Sequence, residues 1–221
     1  MKSRAAFIFF ISLTTFGIAQ TKQLGVVDNK CDTTWEYKTA TKMKLPPVSD
    51  TNASIHFRIW YDVQAVDIEV LKNGKCKGVL ANFTTAINDS KRERKRNKPP
   101  KFYFNTTAID SMSVKRIVSL FQSLAIKDIP TEDSLKGKRY GICDGTGYAI
   151  EYCNLKTYSL KSYSNPCDQT DLQGTKEICS LVETISKMIC LYFNFNQFID
   201  TLPSGCYHGY SIVCICTQKN W

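Results

Sequence analysis

From residue 55 onward, apolar and polar positions alternate with a period of two, interrupted by two stretches in which the apolar spacing lengthens to that of a helix. In IHFRIWYD (55–62), Ile55, Phe57, Ile59 and Tyr61 share one side of the chain and His56, Arg58 and Trp60 the other, which predicts a strand. Val66, Ile68 and Val70 repeat the pattern. Asn73-Gly74 then supplies the strongest short hairpin signal in the chain, and residues 76–85 return as a third strand. The stretch that organises the rest is RYGICDGTGYAIEYCNLKTYSLKSYSNP (139–166). It predicts a short strand, a turn at Asp144-Gly145-Thr146-Gly147, a strand over 148–153, a second turn, and a strand over 157–164.

Two segments change period. Val114, Ile117, Val118, Phe121 and Leu124 recur at helical spacing behind a capping Asp110 or Ser111, and Asp128-Ile129-Pro130 ends that helix. A second helix is predicted over 175–192, with Ile178, Leu181, Val182, Ile185, Met188 and Ile189 on one face and Cys179 and Cys190 at its edge. Each such side chain contributes roughly 1.5–3 kcal/mol when fully buried, enough together to dock the helix. Residues 206–217 alternate as a closing strand, and residues 20–54 read as an extended N-terminal arm. The expected architecture is therefore α+β: a single domain over 55–221, built as an antiparallel meander sheet of about seven or eight strands with two helices packed on one face.

The first 19 residues change the compartment. Lys2 and Arg4 precede an apolar run, and small residues at Gly17 and Ala19 mark a cleavage point, so 1–19 reads as a secretory signal peptide. The remaining 202 residues carry all ten cysteines, an even number in a chain expected to be secreted or periplasmic, which predicts disulfides. Eight of them crowd between Cys143 and Cys216, so the C-terminal half is the stapled half.

Charge sharpens this further. The formal +9 falls to +7 when Lys2 and Arg4 leave, and the run KRERKRNKPPK (91–101) holds seven basic residues and one acid. The rest of the mature chain is nearly neutral, which argues against a broadly basic nucleic-acid binder and for one exposed basic loop. Lys91, Arg92, Arg94, Lys95, Arg96 and Lys98 are accordingly the candidate contact residues for an anionic surface, a polysaccharide or a protein partner. Pro99-Pro100 closes the loop, because it blocks both helix and ladder hydrogen bonding.

The strings IHFRIWYDVQAVDIEVLKNGK and CDGTGYAIEYCNLKTYSLKSYSNP, followed by a helix and a late Leu-Pro, carry a family resemblance. The chain resembles uncharacterised secreted and periplasmic proteins of Bacteroidetes with an Asp-Gly-x-x-Tyr-x-x-Glu hairpin and a Tyr-Ser-Asn-Pro end. Asp144, Gly145, Tyr148, Glu151, Tyr163, Ser164, Asn165 and Pro166 stand at the matching positions. The resemblance implies a fold and a compartment and no chemistry, and the dense cysteines depart from it.

Other chemistry is thinly represented. Cys206-x-His208 and Cys214-x-Cys216 have residue types that suit zinc, but exported thiols are normally oxidised and structural zinc favours wider knuckle spacing. Cys214 and Cys216, two apart on a strand, are each expected to need a distant partner. His208, flanked by glycine, is the better of two histidines for a cysteine–histidine pair, and Asp144 with Glu151 is a further carboxylate pair to consider. Asn52, Asn82, Asn88 and Asn105 head Asn-x-Ser/Thr sequons that would mark surface in a eukaryotic protein. No Gly-x-Ser-x-Gly, phosphate-cradling loop or His-Glu-x-x-His occurs. The expectation is an exported binding module acting through the basic loop or an exposed sheet face, with no cofactor, no metal and no catalytic residues. The alternative is a small enzyme or metal site using His208 with nearby cysteines.

Overall fold

The computed structural model describes residues 25–26, 34–49, 52–87, 99–139, 145–210 and 213–218. Its frame is an antiparallel sheet of β2 (Ile55–Tyr61), β3 (Gln64–Val70), β4 (Cys76–Thr85), β5 (Phe102–Ala108), β6 (Gly147–Asn154) and β7 (Thr157–Ser164). The strand order is β7-β6-β2-β3-β4-β5, and the two-residue β1 (Gly25–Val26) adds in parallel beside β7. Two meanders, β2–β5 and β6–β7, therefore meet where β6 pairs with β2. The Asn73-Gly74 turn forms as its sequence requires: Gly74 has φ 78° and Asn73 Oδ1 accepts the amide of Lys75 at 3.1 Å. Of the short strand expected over 139–143, only Arg139 lies within the described residues, and it is not in a strand.

Helix α2 (Ser111–Ser123) begins as the sequence predicts, with the Asp110 carboxylate accepting the amides of Met112 and Ser113 at 3.0 and 2.9 Å. Its Val114, Ile117 and Phe121 face the sheet, where Phe121 stacks on Phe57 with ring centroids 4.2 Å apart. Helix α3 (Thr175–Met188) lays Ile178, Leu181, Val182 and Ile185 into the same core with Phe57, Ile59, Ile68 and Ile150. It does not run on to residue 192. Cys190 adopts φ 49°, and the chain restarts as α4 (Leu191–Thr201), bent by 54° from α3. Leu191, Phe195, Phe198 and Ile199 give α4 an apolar stripe of its own, most of which packs on Val63, Leu202 and Tyr207 in a separate cluster. Among the described residues no single helix is long and apolar enough to cross a membrane.

Three expectations are corrected. Within the stretch read as an extended arm, Thr34–Lys42 is a helix, α1, and it packs with Met43 and Leu45 on the sheet face opposite α2 and α3. The helices thus lie on both faces, and Arg58, Trp60 and Ala65 are buried rather than exposed. The segment 206–217 is no closing strand of the main sheet. It is a two-stranded hairpin, β8 (Gly205–His208) and β9 (Cys214–Thr217), that meets β4 through an isolated bridge between Ala86 and Tyr207. Tyr207 and Ile215 supply its apolar inner face, too narrow to span a sheet of its own.

Candidate functional site

The six basic residues singled out, Lys91, Arg92, Arg94, Lys95, Arg96 and Lys98, lie outside the described residues, and the structure shows the stem from which they depart. Ala86 donates its amide to the Lys101 carbonyl at 2.9 Å, which joins the chain just after β4 to Lys101, the last residue of the run, at the end of the β4–β5 ladder. One residue on, the Ile87 amide donates to the Cys206 carbonyl at 2.8 Å, so the stem is braced against β8. Lys101 Nζ lies 4.9 Å from the centroid of Tyr103, whose ring meets Tyr207 edge to face. Phe102 packs on Phe83 with centroids 6.1 Å apart, while Phe104 on the same strand remains exposed.

The hairpin braced by that stem carries the cysteine and histidine pattern seen in the sequence. Cys206 faces Cys216, and His208 faces Cys214, directly across the β8–β9 ladder. Alternation puts all four side chains on the outer face, opposite Tyr207 and Ile215. Cys206 and Cys216 are joined as a disulfide with Cα atoms 4.0 Å apart, so the partner of Cys216 is not distant. That bond removes two of the four zinc ligands the pattern offered. A second disulfide, Cys167–Cys179, ties the loop after β7 to the first turns of α3. Cys76, Cys190 and Cys214 are unbridged, and Cys190 and Cys214 are exposed. Cys31 and Cys143 lie outside the described residues, as does Asp144.

Glu151, suggested as half of a carboxylate pair, belongs instead to a buried charged network under α1. Arg58, 1 % exposed, donates through Nε to Asp67 Oδ2 at 2.6 Å and also pairs with it through Nη2. It reaches Glu151 Oε2 at 3.4 Å and the Pro46 carbonyl at 2.7 Å. Glu151 further accepts from Trp60 Nε1 at 2.8 Å and from the Tyr158 hydroxyl at 3.1 Å. His56 Nε2 lies 3.0 Å from Asp67 Oδ1, while the buried His56 Nδ1 has no hydrogen-bond partner among the described residues. Burial alone would raise the Asp67 carboxyl, but the His56 hydrogen bond and the charge of Arg58 outweigh it and hold the group below its ordinary range. Burial, then the charge of Glu151, pushes the Tyr158 hydroxyl well above its own. A cavity of about 170 Å³ opens above this network between Tyr37, Leu45, Pro47 and Tyr158. The arrangement does structural work, since Arg58 clamps the Pro46 backbone, and with it α1, to the sheet. Its sequence signal was present in His56, Arg58 and Asp67 at alternate positions on neighbouring strands, but the pairing was not legible without the register Arg58↔Asp67 and Arg58↔Glu151.

A wider cleft of about 460 Å³ lies at the end of the sheet, where the β2–β3 turn at Asp62 and Val63 meets Tyr148, Ser164 and His208. Beside it, Tyr61, Tyr148, Tyr192 and Tyr210 line a second depression. Tyr210 donates to Gln64 Oε1, and Gln64 Nε2 donates to Asn82 Oδ1 at 2.5 Å and to the Leu191 carbonyl at 3.0 Å. Asn82 is therefore a buried hydrogen-bonding residue, 1 % exposed, and no surface sequon. Sequence reading missed this chain of contacts because Gln64 and Asn82 look like solvent-facing strand residues.

The residues behind the family resemblance act in separate places. Tyr148 lines the cleft, Glu151 serves the Arg58 network, and the Tyr163 hydroxyl donates to the Pro130 carbonyl at 3.0 Å. Asn165, at φ 49°, bonds its amide to the Thr146 carbonyl and fills the space where a Cβ on Gly145 would stand. Motif spacing here records hairpin geometry. No protein-family model matches the chain, and no curated protein matches its sequence.

Proposed function

We propose that the protein is an exported, disulfide-stapled binding module that engages an anionic surface or polysaccharide through the basic run 91–101. The observation that supports this reading is the stem. The run 91–101 carries seven positive charges against one negative, and it lies in sequence between backbone joined by the Ala86–Lys101 hydrogen bond and braced on β8 through Ile87. Over a Debye length of about 8 Å at physiological salt such a run attracts an anionic target. A nucleic-acid groove would call for basic residues spread along a face, whereas the rest of the mature chain is close to neutral. A secreted or periplasmic location fits the signal-like N-terminus and the two disulfides.

The test is retention of the mature protein on an immobilised sulfated polysaccharide across a salt gradient, with bovine serum albumin run alongside as a non-binding control. Retention that outlasts albumin, falls steeply with salt, and is lost when Lys91, Arg92, Arg94, Lys95, Arg96 and Lys98 are changed to Gln supports the proposal. Retention equal in the two proteins, or insensitive to salt, overturns it.

A further inference from the structure

The outer face of the β8–β9 hairpin holds three sulfurs within 4.8 Å of one another: the disulfide-bonded pair Cys206 and Cys216, and the thiol of Cys214. The Cys214 sulfur stands 3.9 Å from that of Cys216. Cys214 and Cys216 are exposed and Cys206 is half-buried, so the group opens to solvent. His208, also exposed, is the residue directly opposite Cys214 across the ladder. A scaffold disulfide needs two cysteines. The third, on the same face and near contact distance of the bridge, has no part in holding the hairpin together.

We propose that this hairpin is a thiol–disulfide exchange centre, in which Cys214 moves the bridge among the three sulfurs and reacts with accessible disulfides of partner molecules. In the internal step the Cys214 thiolate attacks the Cys216 sulfur. A Cys214–Cys216 bond forms, the Cys206–Cys216 bond breaks, and the electron pair leaves on Cys206, which takes up a proton from solvent in place of the one Cys214 gave to solvent. One thiol and one disulfide stand on each side, so no oxidant or reductant is consumed. Toward a partner disulfide the same thiolate forms a mixed disulfide at Cys214 and expels the partner's other sulfur as a thiolate. This chemistry is separate from the basic run and survives its neutralisation.

The bridge has one relaxed position and one strained one. Across the ladder, Cys206 and Cys216 are directly opposed and suit a disulfide. Between Cys214 and Cys216, two apart on β9, the strand must pucker, so the Cys206–Cys216 form predominates and the alternative is a minor, reactive one. Exchange therefore shows as slow migration of the free thiol from Cys214 to Cys206, and an external disulfide traps it at Cys214. Exposed Cys190, far along the chain on the α3–α4 break, is the internal control for an unassisted thiol.

The test uses the mature, unreduced protein. It is incubated at mildly alkaline pH, quenched with a maleimide and mapped by peptide mass spectrometry without reduction. The expected result is maleimide on Cys206 as well as on Cys214, with a matching Cys214–Cys216 peptide. Cys214→Ser abolishes labelling at Cys206, and Cys206→Ser treated with oxidised glutathione as the oxidant yields the Cys214–Cys216 bridge. With a chromogenic aromatic disulfide as probe, Cys214 reacts at least tenfold faster than Cys190 in the same molecule. Label confined to Cys214, a Cys206→Ser protein that keeps two free thiols on β9 in oxidised glutathione, and equal rates at Cys214 and Cys190 would together overturn the proposal. Migration without the rate difference would overturn its extension to partner disulfides.

Discussion

Arg58 is the residue whose removal most directly tests how the sheet holds α1. Arg58→Met keeps most of the side-chain volume and the apolar stem but deletes the guanidinium, leaving the Asp67 and Glu151 carboxylates buried at 5 % and 7 % exposure without their cation. Breaking a buried ion pair from one side costs about 3–5 kcal/mol, because the remaining charge keeps its desolvation penalty and loses its compensation. For a domain of this size each kcal/mol moves the melting temperature by about 2–4 °C, so the expected fall is about 6–20 °C. Urea unfolding followed by tryptophan fluorescence is a suitable assay, since Trp60 donates to Glu151 and Trp35 meets Trp60 edge to face. The pH dependence adds a second reading. The native Asp67 carboxyl lies below its ordinary value, so its contribution is complete above the unfolded pKa, near 3.9, and is lost as pH falls through the lower folded value. In Arg58→Met the buried Asp67 carboxylate binds a proton more readily, and stability at pH 5 exceeds that at pH 7, whereas in wild type the Asp67 contribution is already complete at both. A loss of less than about 1 kcal/mol, the size expected of an exposed pair, with the wild-type acid profile intact, would refute the network as the clamp.

Three further outcomes follow from the packing. Phe121→Ala removes the ring stacked on Phe57 and Tyr152 and costs about 3–5 kcal/mol in chemical unfolding, with little change in the fold by circular dichroism. Gly78→Ala places a Cβ 2.5 Å from Val114 Cγ2 and 2.9 Å from Ile68 Cδ1, so it loosens α2 from β4 and lowers stability by about 1–3 kcal/mol, measurable as a shift in the urea midpoint. Replacing Cys167 and Cys179 together by Ser releases a short closed loop and costs about 3 kcal/mol by thermal unfolding, with the midpoint becoming insensitive to reductant at that site.

Which parts of the fold could be read from sequence follows from how local each signal is. The Asn73-Gly74 hairpin and the Asp110 cap depend on residues within four positions of each other, and both form as the residue types demand. Helix α1 was hidden because TWEYKTATK has little apolar periodicity, and its docking rests largely on Ala40 and the following Met43 and Leu45. The α3–α4 break was hidden for the opposite reason. Leu191 continues the apolar pattern of α3, and nothing like Gly or Pro marks Cys190, whose left-handed backbone lets α4 turn its stripe toward Tyr207. The polar side of β2 gives no local sign of burial, because His56 and Arg58 are charged or polar. Only the register that brings Asp67 and Glu151 beside Arg58 makes burial affordable. The cysteine pattern gave the stapled half of the chain, whereas the pairing of Cys206 with Cys216 required knowing that residues 206–217 fold back on themselves.

If the basic run is the contact surface, neutralising it abolishes binding. The salt dependence of retention on a sulfated polysaccharide, measured for the mature protein and for the variant with Lys91, Arg92, Arg94, Lys95, Arg96 and Lys98 changed to Gln, decides this. The expected result is retention of the wild type at low salt that decays steeply as salt rises, and none for the variant, with the two proteins unfolding at the same temperature. Equal retention of both proteins, or no retention of either, would contradict it.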